Sequence, residues 1–279
     1  MKKSKKLLLF AVTLFTAFLL VSCGNNKKSS SSTGTEEKTV KVGIIGSDER
    51  VWDSIKPQLK KKGINIKLVQ FTNYDQPDQA LNSGDIDLNS YQHIFYLNNW
   101  NKAHHADLVP IGNTIIAPLA VYSKKIKSIK DLKKGDEVSI PNDATNQARA
   151  LQLLESAKLI TLKSNVELPT PNDVIKNPKK LKITPLDASQ TPRSMNDVAI
   201  AIVNNNVALD AKLDPSTAIY TEKITKKSKP WVNIIAAQKK DKNNKTYKEV
   251  VKAYQTEAVA KKIKEVYKGS TIAAWNYKF

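Results

Sequence analysis

The chain has 279 residues with 45 Lys and Arg against 26 Asp and Glu, a formal charge of +19, and one cysteine. One cysteine leaves no thiol pair for disulfides or metal clusters, and this length suffices for one large domain or two modest lobes built on apolar cores. The lysines are scattered, as in SKKIKSIKDLKK and KKDKNNK, without interleaved aromatics. That pattern reads as a solvated surface, argues against a nucleic-acid partner, and leaves room for attraction to anionic lipid heads or wall polymers.

The chain opens with the basic run MKKSKK and the apolar run LLLFAVTLFTAFLLV at 7–21. A basic flank before a short apolar stretch is the pattern of a secretory signal, and the run is shorter than the roughly 20 residues of a comfortable bilayer span. It ends in LVSC, which resembles a lipobox: residues 1–22 are expected to be removed and Cys23 acylated. The plainer alternative is an ordinary signal with a stray cysteine. Residues 23–38 are polar and small, a composition expected to form a flexible tether. Acyl chains on Cys23 would hold the protein on the extracytoplasmic side of the cell membrane without a spanning helix.

Patterned sequence begins at Thr39. TVKVGII (39–45) is β-rich and ends at Gly46, and Val51, Ile55 and Leu59 then make a helical stripe that stops at Gly63. INIKLVQF alternates apolar and polar residues, a half-buried strand. Strand, helix and strand in this order predict a βαβ unit and a parallel sheet. A short helix in DQALNS, a turn at Gly84, a brief strand and a helix over 91–102 follow. TIIAPLAVYS reads as a strand, SKKIKSIKDLKK as a short helix, and EVSI as a second strand. QARALQLLESAK predicts a firm helix with Ala150, Leu153, Leu154 and Ala157 on one face. LPTPNDVIKNPKK breaks regularity before the strands LKITPL and DVAIAIV, and Tyr247, Val250, Val251 and Tyr254 mark a helix near the end. The fold class is α/β.

The stretch PNDATNQAR (141–149) sets three amides and an arginine at the mouth of that firm helix. Asn142 and Asn146 are four apart and Arg149 three further on, so a helix there groups them on one side. A planar guanidinium suits a carboxylate, and a helix N-terminus adds N–H donors and positive dipole. The competing reading makes Asn142 or Asp143 a helix cap and Arg149 a surface cation.

The lipobox, NSYQHIFYLNNW, PIGNTIIAPLAVYSKKIKSIKDL, PNDATNQAR and NPKKLKITPLDASQTPRSMNDVAIAIVNNN, in this order along the chain, resemble the NlpA/MetQ family, substrate-binding lipoproteins of ABC importers for methionine. The resemblance runs from about Thr39 to the end of the chain. It implies a two-lobed periplasmic-binding-protein (type II) fold with two crossing segments, near 118–123 and 231–238, and a ligand cleft between the lobes. Residues 39–120 and 232–279 would form lobe 1, and 121–231 lobe 2. In open α/β sheets ligands bind at the carboxyl ends of strands.

Carried over residue by residue, the resemblance assigns Tyr74, Tyr91, His93 and Tyr96 to a wall around the ligand side chain, where aromatic rings suit a thioether. It assigns Asn142, Asn146 and Arg149 to the carboxylate. It maps Asn204 onto a ligand-contacting asparagine, an amide able to accept from an ammonium and donate to a carboxylate; Asn205 and Asn206 read as turn residues. Two departures bear on specificity: the loop IGSDERVWDS differs from the family's usual one, and Ala117 stands where an acidic residue is common. Tyr91 stands where phenylalanine is common, so its hydroxyl would tune ligand preference if it faced the ligand.

The implied function is capture of methionine, L- or D-, or a close derivative, and delivery to a membrane permease with its ATPase. Another small amino acid, a methionine-containing dipeptide, a surface adhesin or a metal-binding lipoprotein are the alternatives. His93, His104 and His105 lack a recognisable metal spacing, and no Ser/His/Asp signature, phosphate loop or second cysteine points to catalysis or a cofactor.

Overall fold

The structure, a computed structural model, describes residues 37–46 and 49–278. The signal segment, Cys23 and residues 24–36 lie outside the described residues. Among the described residues no helix is long and apolar enough to cross a membrane.

The chain starts as a βαβ unit. Strand β1 (Lys38–Ile45) pairs in parallel with β2 (Ile64–Phe71), and helix α1 (Glu49–Lys60) crosses between them. The stripe read from the sequence buries Val51, Ile55 and Leu59, joined by Trp52, whose ring packs 5.1 Å from that of Tyr254. Full burial of such side chains contributes about 1.5–3 kcal/mol each. Helix α2 (Gln76–Ser83) ends at Gly84 with φ 85°, the left-handed turn that closes a helix, and β3 (Leu88–Asn89) joins β1 on its other edge. Helix α3 (Ile94–His104) and β4 (Val109–Ile116) complete this run.

At Pro118 the chain changes sheets. The sequence reads TIIAPLAVYS as one strand, but β4 stays with β1, while β5 (Ala120–Tyr122) belongs to a second sheet. Proline lacks the N–H that an unbroken ladder needs. The expected lysine-rich helix is only a turn at Ile129–Asp131 closed by Ser128 and Asp131. Then come β6 (Glu137–Pro141), α4 (Ala144–Ser156), the ribbon β7 (Thr161–Leu162) with β8 (Val174–Lys176), and β9 (Lys182–Leu186). The short α5 (Thr191–Ser194), β10 (Ile200–Val203), α6 (Asn205–Asp210) and β11 (Tyr220–Thr221) follow. The order of the second sheet is β11-β5-β10-β6-β9.

After Trp231 the chain returns to the first sheet as β12 (Val232–Ala237), antiparallel to β3 and β4. The terminal helical pattern divides into α7 (Lys245–Tyr254) and α8 (Glu257–Val266), because the Thr256 side chain caps a new helix through Val259 N. Strand β13 (Ile272–Ala273) closes the first sheet, whose order is β13-β4-β12-β3-β1-β2. Two lobes result, each an open α/β sheet with its own buried core. Two connections join them, 117–119 and 222–231.

Candidate functional site

Between the lobes lies a small, partly open cavity. Of the eight ligand residues expected from the sequence, Tyr74, Tyr91, His93, Tyr96, Asn146, Arg149 and Asn204 line it. Asn142 does not: it precedes the cap of α4, is exposed, and borders a separate small cavity. The helix starts at Ala144, so the spacing that grouped Asn142 with Asn146 and Arg149 does not hold there.

The wall on the first lobe is set by two local features. His93 caps α3: its Nδ1 accepts the backbone N–H of Tyr96 at 3.0 Å, which leaves the proton on Nε2. Burial, with the nearby Arg149 charge, lowers its pKa to about 3, so the ring is neutral near pH 7. The three tyrosine rings form a triangle, with Tyr91 5.9 Å from both Tyr74 and Tyr96, and Tyr74 6.2 Å from Tyr96. The hydroxyls of Tyr91 and Tyr96 both donate to the backbone oxygen of Tyr74, at 2.9 and 3.0 Å. The Tyr91 hydroxyl is thus turned to its own lobe, where it also lies 3.0 Å from Asp78 Oδ2. Asp78 is fully buried and holds Asn89 and Gln92 as well; burial raises its pKa to about 6 against those hydrogen bonds.

The second lobe presents its groups through a relay of amides. Asp143 caps α4 and accepts the Asn146 backbone N–H at 3.0 Å, while both its carboxylate oxygens accept from Asn146 Nδ2. That fixes Asn146 Oδ1 as an acceptor, and it takes Asn204 Nδ2 at 2.9 Å and faces His93 Nε2 at 3.4 Å. The Asn204 amide is thereby oriented, and its Oδ1 is buried and without a hydrogen-bond partner among the described residues. Asn206 Nδ2 is buried and unsatisfied as well. Buried polar atoms left unpaired are rare and costly, and Gln92 Oε1, also on the cavity lining, is a third.

Arg149, 4% exposed, is no surface cation. Its Nε and Nη2 grip Glu222 at 3.0 and 2.5 Å, and Nη2 also donates to Ala117 O at 3.0 Å. Its guanidinium carbon stands 4.8 Å over the Trp231 ring. Nη1 donates no hydrogen bond among the described residues. Sequence reading missed Glu222, a lone acid in the lysine-rich stretch TEKITKKSK, because its pairing with Arg149 spans 73 positions. It also took Asn205 and Asn206 for turn residues. They open α6 and line the cavity: Asn206 Oδ1 accepts from the Tyr74 hydroxyl, and Asn205 bonds Ser270 and Thr271. His104 stacks on Trp100 outside the cavity.

The cavity therefore combines one cationic fork, a set of oriented amides and an aromatic wall. A model of the NlpA lipoprotein family matches residues 40–275. The chain is 39% identical over 268 residues to the D-methionine-binding lipoprotein MetQ of Escherichia coli (strain K12), covering 94% of this chain and 95% of that one. Among solved structures, a nutrient binding protein from Burkholderia cenocepacia bound to methionine shares 44% identity with a TM-score of 0.81, covering 84% of this chain and 99% of that one. The substrate binding protein of a methionine transporter from Streptococcus pneumoniae shares 42% with a TM-score of 0.81, covering 85% and 96%. The likeness spans both lobes, so the fold is the two-lobed type II binding-protein fold.

Proposed function

The chain belongs to the NlpA lipoprotein family, and on that premise we propose that it captures methionine, L- or D-, or a close derivative, and delivers it to an ABC importer. Acylated Cys23 anchors it to the cell membrane facing outward. Its partners are the amino acid, a permease and the attached ATPase, and no reaction is catalysed on this chain. Lobe 1 comprises 39–119 and 232–279, lobe 2 residues 120–231, and the lobes close on the ligand.

The ligand carboxylate sits against Arg149 Nη1, with Asn146 fixing the orientation. Asn204 Oδ1 accepts from the ammonium, and the faces of Tyr74, Tyr91 and Tyr96 with His93 surround the thioether. The observation that carries this reading is the oriented, unpartnered Asn204 Oδ1 in a cavity that also holds a guanidinium and an aromatic wall. An amino-acid zwitterion with an apolar, polarizable side chain matches each of these groups.

Native mass spectrometry of the soluble domain, followed by calorimetry with L-methionine, D-methionine, methionine sulfoxide and short dipeptides, tests it. Tight binding of a methionine form is expected. Failure of the whole panel would sink the reading.

A further inference from the structure

The charge arrangement of the cavity carries one step more, which rests on the ligand reading above. Among the described residues, Arg149 is the only charged side chain lining the cavity beside the neutral His93, and no carboxylate lines it. Yet that charge is already matched. Glu222 holds Nε and Nη2 from outside the cavity, its side chain 17% exposed toward a neighbouring groove, and its Oε2 also accepts the backbone N–H of Leu119 at 3.1 Å. The carboxylate is thereby tied by a backbone N–H to one crossing segment while belonging to the other.

We infer that Glu222 is a specificity-determining residue that makes the site select ligands of zero net charge, and so require the ammonium of an amino acid. A zwitterion brings its own cation, and the amide oxygens receive it. An acid lacking the amine brings a second carboxylate to a guanidinium that Glu222 already neutralises. The two negative charges then share one buried cation, and like charges so placed cost several kcal/mol, about a hundredfold or more in affinity. Arg149 alone would favour the anion; with Glu222 behind it, the pair favours the zwitterion.

The test is a double comparison by calorimetry: L-methionine and desamino-methionine, each against the wild-type domain and against Glu222→Gln, Glu222→Ala and Glu222→Asp. Gln and Ala remove the charge, one nearly isosterically and one by truncation, so a folding failure of either leaves the other; thermal melts report folding. Wild type should prefer L-methionine strongly. Glu222→Gln or Glu222→Ala should shrink that preference about tenfold or more through tighter binding of the amine-free acid, whereas Glu222→Asp should keep it. An unchanged preference in the folded charge-removing variants would overturn the inference while leaving the ligand reading intact. The same holds if Glu222→Asp shrinks the preference as much as Glu222→Gln, which would make the role one of packing. If the wild type binds another methionine form instead, that form replaces L-methionine in the comparison; failure of every form in the panel to bind would overturn both.

Discussion

The hydroxyl of Tyr74, on the loop between β2 and α2, donates to Asn206 Oδ1 at the start of α6 at 2.8 Å, joining the two lobes over the cavity. The Asn146–His93 contact crosses the same gap deeper in, and Asn205 with Ser270 and Thr271 crosses it at another point. Closure of the cleft thus rests on amides of the second lobe meeting side chains of the first. The same amide-rich turn carries Asn204, so the proposed ligand contact and the closure contacts share one short segment.

Tyr74→Phe removes the crossing bond and keeps the ring. A neutral hydrogen bond contributes about 0.5–1.5 kcal/mol net, so methionine affinity should fall severalfold, chiefly through faster release. Stopped-flow dissociation checks it; an unchanged release rate would show that this contact does not hold the closed form.

Arg149→Ala should cost binding about 3–5 kcal/mol, because the ligand carboxylate is left desolvated without a cation. It also strands the carboxylate of Glu222, so the melting temperature should drop as well. Calorimetry and thermal melts on the same sample separate the two effects, and undiminished methionine affinity would remove Arg149 from the site.

Asp143→Asn tests the amide relay. Asparagine caps helices about as well as aspartate, so stability should change little. The second carboxylate oxygen becomes a donor, however, and no longer fixes the Asn146 amide against rotation. Asn204 then loses its set orientation, and affinity should fall about tenfold. Equal affinity in the variant would mean that Asn204 is oriented by other contacts.

Two buried groups give opposite dependences of stability on pH. His93 titrates near 3 in the fold against an ordinary 6.5, so the unfolded chain binds more protons between those values and stability is lost as pH falls through them. Asp78 titrates near 6 against 3.8, so there the folded chain binds more protons, and stability is lost as pH rises through that window. In Asp78→Asn the amide can accept from Asn89 and Gln92 and donate to the Tyr91 oxygen, leaving the Tyr91 hydroxyl for Tyr74 O. That variant should be at least as stable as wild type at pH 7 and lose stability more steeply on acidification from pH 6 to 4. Denaturant titrations at several pH values check this; parallel curves for the two proteins would refute the assignment to Asp78.

Much of the fold was legible because its elements are written in local periodicity. Val51, Ile55 and Leu59 mark α1, and the alternation from Ile64 marks β2, since one face of each must be buried whatever it packs against. The misreadings fall where a local pattern is cut by something else. Pro118 sends one apolar run to two sheets, and the Thr256 cap splits one helical run into two. In the site, Arg149 and Asn146 were visible as polar residues at a helix mouth, but Asn142 was grouped with them on a helix that starts two residues later.

What the sequence determined by itself was therefore the set of elements, the parallel βαβ start and the residue types needed to meet a small zwitterion. Its motifs, in order along the chain, also pointed to the family. Only the tertiary structure decided which way those groups face and which of them are already engaged. The Tyr91 hydroxyl turns to Asp78 and Tyr74, the Arg149 fork closes on Glu222, and Asn204 is aimed by Asp143 through Asn146. The reason is physical: helix and strand periodicity is set by neighbours in the chain, whereas the orientation of a hydrogen-bonding group is set by partners that folding brings from dozens of residues away.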